Sequence, residues 1–239
     1  SQARPESQRM SVGLDEVVSR RRDFLVRYQN EAYAARYVAA IDRLRAAESA
    51  KVPGSTALAM AGARYLFKLM AYKDEYEVAR LYTDGDFAAR VASQFEGDYR
   101  LVMHLAPPIF SKVDPATGEP RKRAFGAWML RAMRVLAAFK GLRGTAFDPF
   151  GGTEERRAER ALIDEYEATL AQIAEHLSPD TLEIATDLAS VPERIRGYGP
   201  VKARHLEQAR ERREALLAQL LDPSLRAKAR PAIPIKAAA

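Results

Sequence analysis

Apolar side chains recur at helical spacing near the start of the chain. Leu14, Val17, Val18, Phe24, Leu25, Tyr28, Ala32 and Ala35 fall along one stripe. The pattern predicts a long helix from residue 14 to about residue 48. Lys51-Val-Pro-Gly-Ser closes it, because Pro53-Gly54 is a turn pair, and Ser55 or Thr56 can cap the helix that follows. That second helix runs on through AYKDEYEVARLY to Thr83-Asp84-Gly85, where the glycine stops it. Asp86 then caps a short helix to about Phe95.

The period changes at YRLVMHL (99–105), which is bounded by Gly97-Asp98 and Pro107-Pro108 and reads as a strand. A strand needs partners for its backbone groups. Either the loop 109–123 supplies a second strand, or the partner lies on another chain or domain. Asp114-Pro-Ala-Thr-Gly118 is a turn at the tip of that loop. Residues 124–139 read as an amphipathic helix closed by Lys140-Gly141, and 144–152 as irregular. Thr153 caps a long helix to about Leu177, with Glu154 and Glu155 suited to its N-terminal dipole. Ser178-Pro179 opens another helix, and Gly197-Tyr-Gly-Pro200 precedes a last one over 201–221. The expected fold is mainly α: an irregular multi-helix bundle with at most a short strand or hairpin near 99–123. One helical domain spans 14–221. Residues 1–13 read as linker, and the Ala-, Pro- and Lys-rich tail 222–239 as extended or disordered.

Composition narrows the chemistry. A 47% hydrophobic share over 239 residues suffices for a buried core. There is no run of about 18 apolar residues and no secretory leader, so a cytoplasmic protein with no membrane partner is expected. The absence of an initiator methionine suggests a segment of a longer polypeptide. With no cysteine, disulfides, thiolate nucleophiles and Cys-ligated iron–sulfur clusters are excluded within this sequence. His104, His176 and His205 lie far apart and outside any H-E-x-x-H spacing, so no metal site is expected. Walker, dinucleotide-binding and G-x-S-x-G motifs are missing as well.

The chain carries 38 Lys and Arg against 32 Asp and Glu. The surplus sits in residues 121–160, where ten basic residues face four acidic ones. Such a segment suits nucleic acid, a phosphorylated cofactor or an acidic partner, or it is a solvated arginine-rich face. Nucleic acid is disfavoured, because the aromatics fall in helical stripes and no recognised motif accompanies the charge.

On a helical wheel, Asp74 shares a stripe with Phe67, Met70, Ala71, Val78 and Leu81. A carboxylate there is costly unless paired. It is either a poised acid or base, or half of a buried ion pair with Arg143 or Arg160. Lys73, Tyr76 and Arg80 share another face and point toward a neighbouring element. His104, near the strand's end, suits acid–base work or a structural hydrogen bond. Gly141-Leu-Arg-Gly144 and Gly151-Gly152-Thr153 lie at helix ends, near Arg143, Arg156 and Arg157. Amides and guanidinium groups there suit an anion, although a plain glycine connector looks the same. The candidate polar or anion-binding residues are thus Lys73, Asp74, Tyr76, Arg80, His104, Arg143, Arg156 and Arg157, and none is assigned as catalytic.

Several stretches in order resemble one family: RRRDFLVRYQNEAYAARY, LFKLMAYKDEYEVARLYTDGDF, YRLVMHLAPPIF, GEPRKRAFGAWML, LRGTAFDPFGGTEERRAER and RGYGPVK. They are similar to the C-terminal helical region of the long, fused indolepyruvate ferredoxin oxidoreductases, of the 2-oxoacid:acceptor oxidoreductase group. The similarity covers about residues 14–221. It implies a parent enzyme that uses thiamine diphosphate, CoA and iron–sulfur clusters to convert 2-oxo acids to acyl-CoA while reducing ferredoxin. This chain holds none of those cofactors: Asn30 is its one asparagine, so the GDG…NN thiamine-diphosphate motif is missing. The resemblance therefore implies a non-catalytic accessory domain. Its partners would be the upstream thiamine-binding and gamma-type domains, with CoA as a candidate ligand. It would support assembly, or cover the active site or the CoA entrance. A purely structural docking scaffold and a basic nucleic-acid-binding protein are the alternatives. The unpaired strand 99–105 and the tail segment 231–235 are the cues for docking.

Overall fold

In chain order, the computed structural model comprises helices α1 (Leu14–Tyr28), α2 (Glu31–Lys51), α3 (Ala57–Met70), α4 (Glu75–Thr83) and α5 (Asp86–Gln94). Strands β1 (Met103–Leu105) and β2 (Arg123–Phe125) come next. Helices α6 (Trp128–Ala138), α7 (Glu154–His176), α8 (Leu182–Ser190), α9 (Gly199–Leu221) and α10 (Pro223–Ala229) complete the chain. The structure describes residues 13–94, 102–105, 123–126, 128–197 and 199–229. The architecture is mainly α, as the periodicity predicts. The span 14–221, read above as one domain, resolves into two compact units: residues up to Ala71 together with those from Ala158 onward, and residues 72–157.

In the first unit, the helix expected over 14–48 is two helices. Asn30 has extended backbone (φ −167°, ψ 177°), and its side chain accepts a hydrogen bond from the Tyr33 N–H at 2.8 Å. An asparagine that bonds its own backbone competes with helix continuation and caps the next helix instead. Gly54 turns the chain after α2 at φ +86°. The cap of α3 comes from neither Ser55 nor Thr56 alone. Buried Glu48 of α2 accepts from the Leu58 and Ala59 N–H groups at 3.0 and 2.8 Å, and from the Ser55 hydroxyl at 2.6 Å. Gly62 lets α3 approach Leu44, whose Cδ2 would lie 2.5 Å from an added Cβ.

The core of this unit includes Leu25, Tyr28, Tyr37, Ile41, Leu66, Ile163, Ile173 and Leu188. Tyr166 ties α7 to α8 by donating to the Ala189 carbonyl at 2.6 Å. Ser178 and Thr181 form the capping box that Ser178-Pro179 announces. The tail expectation needs correction. Residues 223–229 are helical, because Asp222 accepts from the Ser224 N–H at 2.8 Å and Pro223 sits at the first helical position. The rest of that tail, residues 230–239, and the linker 1–12 lie outside the described residues.

In the second unit, the helix expected to run through to Thr83 breaks between Ala71 and Asp74. Asp74 is the N-cap of α4 (φ −108°, ψ −175°), not a mid-helix residue. Gly85 stops α4 with φ +96°, and α5 follows from Asp86, as expected. The strand finds its partner within the chain. β1 and β2 pair antiparallel, Met103 opposite Phe125, His104 opposite Ala124 and Leu105 opposite Arg123. Ala124 therefore belongs to a strand rather than to a helix start, and α6 begins at Trp128. The expected turn at Asp114–Gly118 lies outside the described residues. Ala79, Met103 and Met133 form the core here, with Tyr82, Met129, Leu130, Leu136 and Ala137 packed on them. Among the described residues of the whole chain, no helix is long and apolar enough to cross a membrane.

Candidate functional site

Asp74 begins the polar site of the second unit. As N-cap it accepts the Glu77 N–H at 2.8 Å. The same carboxylate is held from the other side by a guanidinium fork: Arg143 Nε donates to Oδ2, and Nη2 donates to Oδ1 at 2.8 Å. Asp74 is 3% exposed and Arg143 4%, so water screens neither charge. A short 3-10 turn, Phe139–Leu142, ends α6 and delivers Arg143 to this position. Of the two partners open on sequence, Arg143 is the one. The wheel placed Asp74 in an apolar stripe by carrying one helical phase across a break. Its burial and ion pairing hold, for a different local reason.

Around the fork lie aromatic rings and a turn. The Arg143 guanidinium stands over the Tyr76 ring at 5.4 Å, and Phe150 meets that ring edge-on, also at 5.4 Å. Buried Tyr76 donates its hydroxyl to Asp148 Oδ1 at 3.1 Å. Burial, reinforced by the negative charge of Asp148, holds the Tyr76 phenol protonated well above its ordinary range. Asp148 also accepts the Gly144 N–H at 2.8 Å and the Phe150 N–H at 3.1 Å, an aspartate turn that sets the loop. A Cβ on Gly151 would come 2.6 Å from Asp148 Oδ2, so only glycine leaves room for that carboxylate.

The remaining charges close on one another. Arg80 donates to both oxygens of Glu77 at 2.8 Å and to Asp84 at 3.3 Å. Those hydrogen bonds to Glu77 hold its guanidinium charged even more firmly than usual. Arg156 reaches Glu75 at 3.2 Å and lies over the Tyr72 ring at 5.7 Å. Burial first, and then the charges of Arg80 and Arg143, lower the Lys140 ammonium below its usual range.

Asp74, Tyr76, Arg80, Arg143 and Arg156 thus stand in one paired assembly, together with Glu75, Glu77 and Asp148, acids that are not among the candidates named from sequence. The Asp148-Pro-Phe-Gly-Gly run carried a turn signal for Asp148. The other candidates stand apart. Lys73 is exposed, Arg157 is exposed on the first turn of α7, and His104 is exposed on β1 opposite Ala124. Among the described residues, no hydrogen bond or ion pair joins these three to the assembly.

An anion gains little here. The Gly144 and Phe150 amides already serve Asp148, and the Arg143 and Arg156 guanidinium groups already serve Asp74 and Glu75. A phosphate would have to displace carboxylates from buried pairs, so these residues do not fit a CoA phosphate. No group of His, Cys, Asp or Glu among the described residues is placed to hold a metal ion. What the arrangement does chemically is fix the loop 143–153 against α4.

Comparison with known families gives a match over residues 14–215 to a family described as "Family of unknown function (DUF6537)", and the chain belongs to that family. No curated protein and no solved structure matches it.

Proposed function

We propose that this DUF6537 member is a non-catalytic accessory domain of a cytoplasmic, thiamine-diphosphate-dependent 2-oxoacid ferredoxin oxidoreductase of the indolepyruvate type, and that it supports assembly of that enzyme. The ordered motifs of the sequence support the choice of parent. The observation that carries the role is the closure of the polar assembly: each buried carboxylate, Asp74 and Glu77 alike, is held by an arginine and caps or braces α4. Buried charges held this way organise packing and leave no open acid or base for substrate.

Thiamine diphosphate, CoA and the iron–sulfur clusters belong to the upstream thiamine-binding and gamma-type domains, for this chain has no cysteine to ligate a cluster. The engagement of Arg143 by Asp74 favours assembly over a role at the CoA entrance. Pairing of β1 with β2 removes the unpartnered strand as a docking cue.

Deleting residues 14–221 from the full-length polypeptide tests this. Light scattering reads assembly, and 2-oxoacid-dependent reduction of a viologen dye reads turnover. Loss of assembly is expected. Intact assembly with collapsed turnover would instead make the domain part of the active site. If the undeleted enzyme reduces no viologen with any 2-oxo acid, the choice of parent is wrong.

A further inference from the structure

Helix α6 is apolar on two sides. Met133 turns into the core of the second unit, with Met129, Leu130, Leu136 and Ala137 beside it. Nearly opposite, Trp128, Val135 and Phe139 recur at i, i+7 and i+11. They therefore stand within about 40° of one another on the wheel and form a ridge about 16 Å long. They are 60%, 60% and 53% exposed. Phe125 of β2 braces the Trp128 ring edge-on, with centroids 6.0 Å apart. A surface helix normally shows water a polar face, and a continuous exposed apolar strip marks an interaction site.

Charge says what covers it. Arg131 and Arg134 are exposed and lie together along one flank of the ridge, and neither has a carboxylate partner among the described residues. The sequence from 128 to 147 contains no acid at all. We infer that the Trp128–Val135–Phe139 ridge is a docking surface for an apolar helix that carries Asp or Glu along the flank facing Arg131 and Arg134. A second copy of the ridge would bring the same arginines and no carboxylate, so it is not the occupant. An interfacial helix in an anionic bilayer sets its cations across the whole polar face around the apolar strip, whereas here they line one flank only. The ridge has this chemistry whatever enzyme the chain serves.

Trp128 is the single tryptophan of the chain, so its fluorescence reads the ridge directly. The test titrates the 239-residue chain. The probes are a synthetic leucine–glutamate amphipathic helix, its leucine–lysine counterpart and phosphatidylglycerol vesicles, with a dilution series of the protein alone. A blue shift saturating with the leucine–glutamate helix is expected, weakened by salt. The double variant Arg131→Glu/Arg134→Glu should lose at least about tenfold in affinity for that probe and gain for the lysine one. Val135→Asp should abolish the shift. Both variants alter exposed residues, and circular dichroism verifies that each folds. Equal response to the lysine helix overturns the inference, as does a shift produced by vesicles or by self-association alone, or no shift with any probe.

Discussion

The buried fork between Asp74 and Arg143 makes a quantitative demand. Replacing Arg143 by Met keeps most of the side-chain bulk but leaves the Asp74 carboxylate, 3% exposed, with the Glu77 N–H as its donor and no opposing charge. Breaking a buried pair from one side costs about 3–5 kcal/mol, because the surviving charge is stranded away from water. Asp74→Asn removes the charge opposite Arg143 while preserving the cap, since asparagine caps as well as aspartate. The double variant strands neither charge. It should cost less than the sum of the single variants, by a coupling of about 1–3 kcal/mol. Asp74→Ala should be worse than Asp74→Asn by about 1 kcal/mol, the contribution of the lost cap. Urea unfolding followed by circular dichroism measures each difference. Hydrogen exchange of the α4 amides shows whether the loss lies in the second unit. Single variants within about 0.5 kcal/mol of the parent, or strictly additive double-variant losses, would refute the account of this pair as the brace of α4.

Two further outcomes follow from the geometry. Gly151→Ala sets a Cβ 2.6 Å from Asp148 Oδ2, and that carboxylate cannot step aside without releasing Gly144, Phe150 and Tyr76. A loss of about 1–3 kcal/mol in urea unfolding is expected. Gly152→Ala, with open space around it, should cost under about 0.5 kcal/mol, and equal losses at both positions would sink the explanation. At high pH, burial pushes the Tyr37 phenol up to about 12 and holds those of Tyr76 and Tyr166 above their usual range. The folded state keeps these protons longer than the unfolded chain does. The associated stability is therefore whole below about pH 10 and is lost as pH rises toward 12. In a spectrophotometric titration these tyrosines should ionise only after the exposed ones, whereas a single wave near the ordinary phenol range would contradict their burial.

The mainly α class was legible because periodicity is a local signal, and so were the stops at Gly54 and Gly85 and the starts at Thr153 and Ser178-Pro179. Asn30 and Asp74 were missed as helix breaks for a common reason. Each is a capping residue inside apolar spacing that continues on both sides, and spacing alone does not show that the phase has been reset. Ala124 was misplaced because its conformation is decided by pairing with His104, a contact made across an intervening loop. Glu48 as the cap of α3 is non-local in the same sense: it reaches forward from the preceding helix past a turn. At the polar site, Arg143 could be named as one of two partners because a buried carboxylate demands a cation. Asp148 could not, since its importance arises where Tyr76 meets it.

The basic surplus of 121–160 changes meaning once the partners are known. Arg143 and Arg156 are matched by Asp74 and Glu75, acids that lie outside that segment in sequence, so these two cations contribute little outward field. Arg123, Arg131, Arg134 and Arg157 remain exposed, and two of these flank the ridge on α6. The polar assembly of Asp74 and its neighbours is internally satisfied and has little interaction energy left for a partner. Trp128, Val135 and Phe139 are the reverse case, large apolar groups still in contact with water, and covering them releases free energy that the folded chain has not yet gained. Mutations at the polar assembly should therefore register as lost stability, and mutations along the ridge as lost association with stability intact. That division separates scaffold from interface within one unit of this chain.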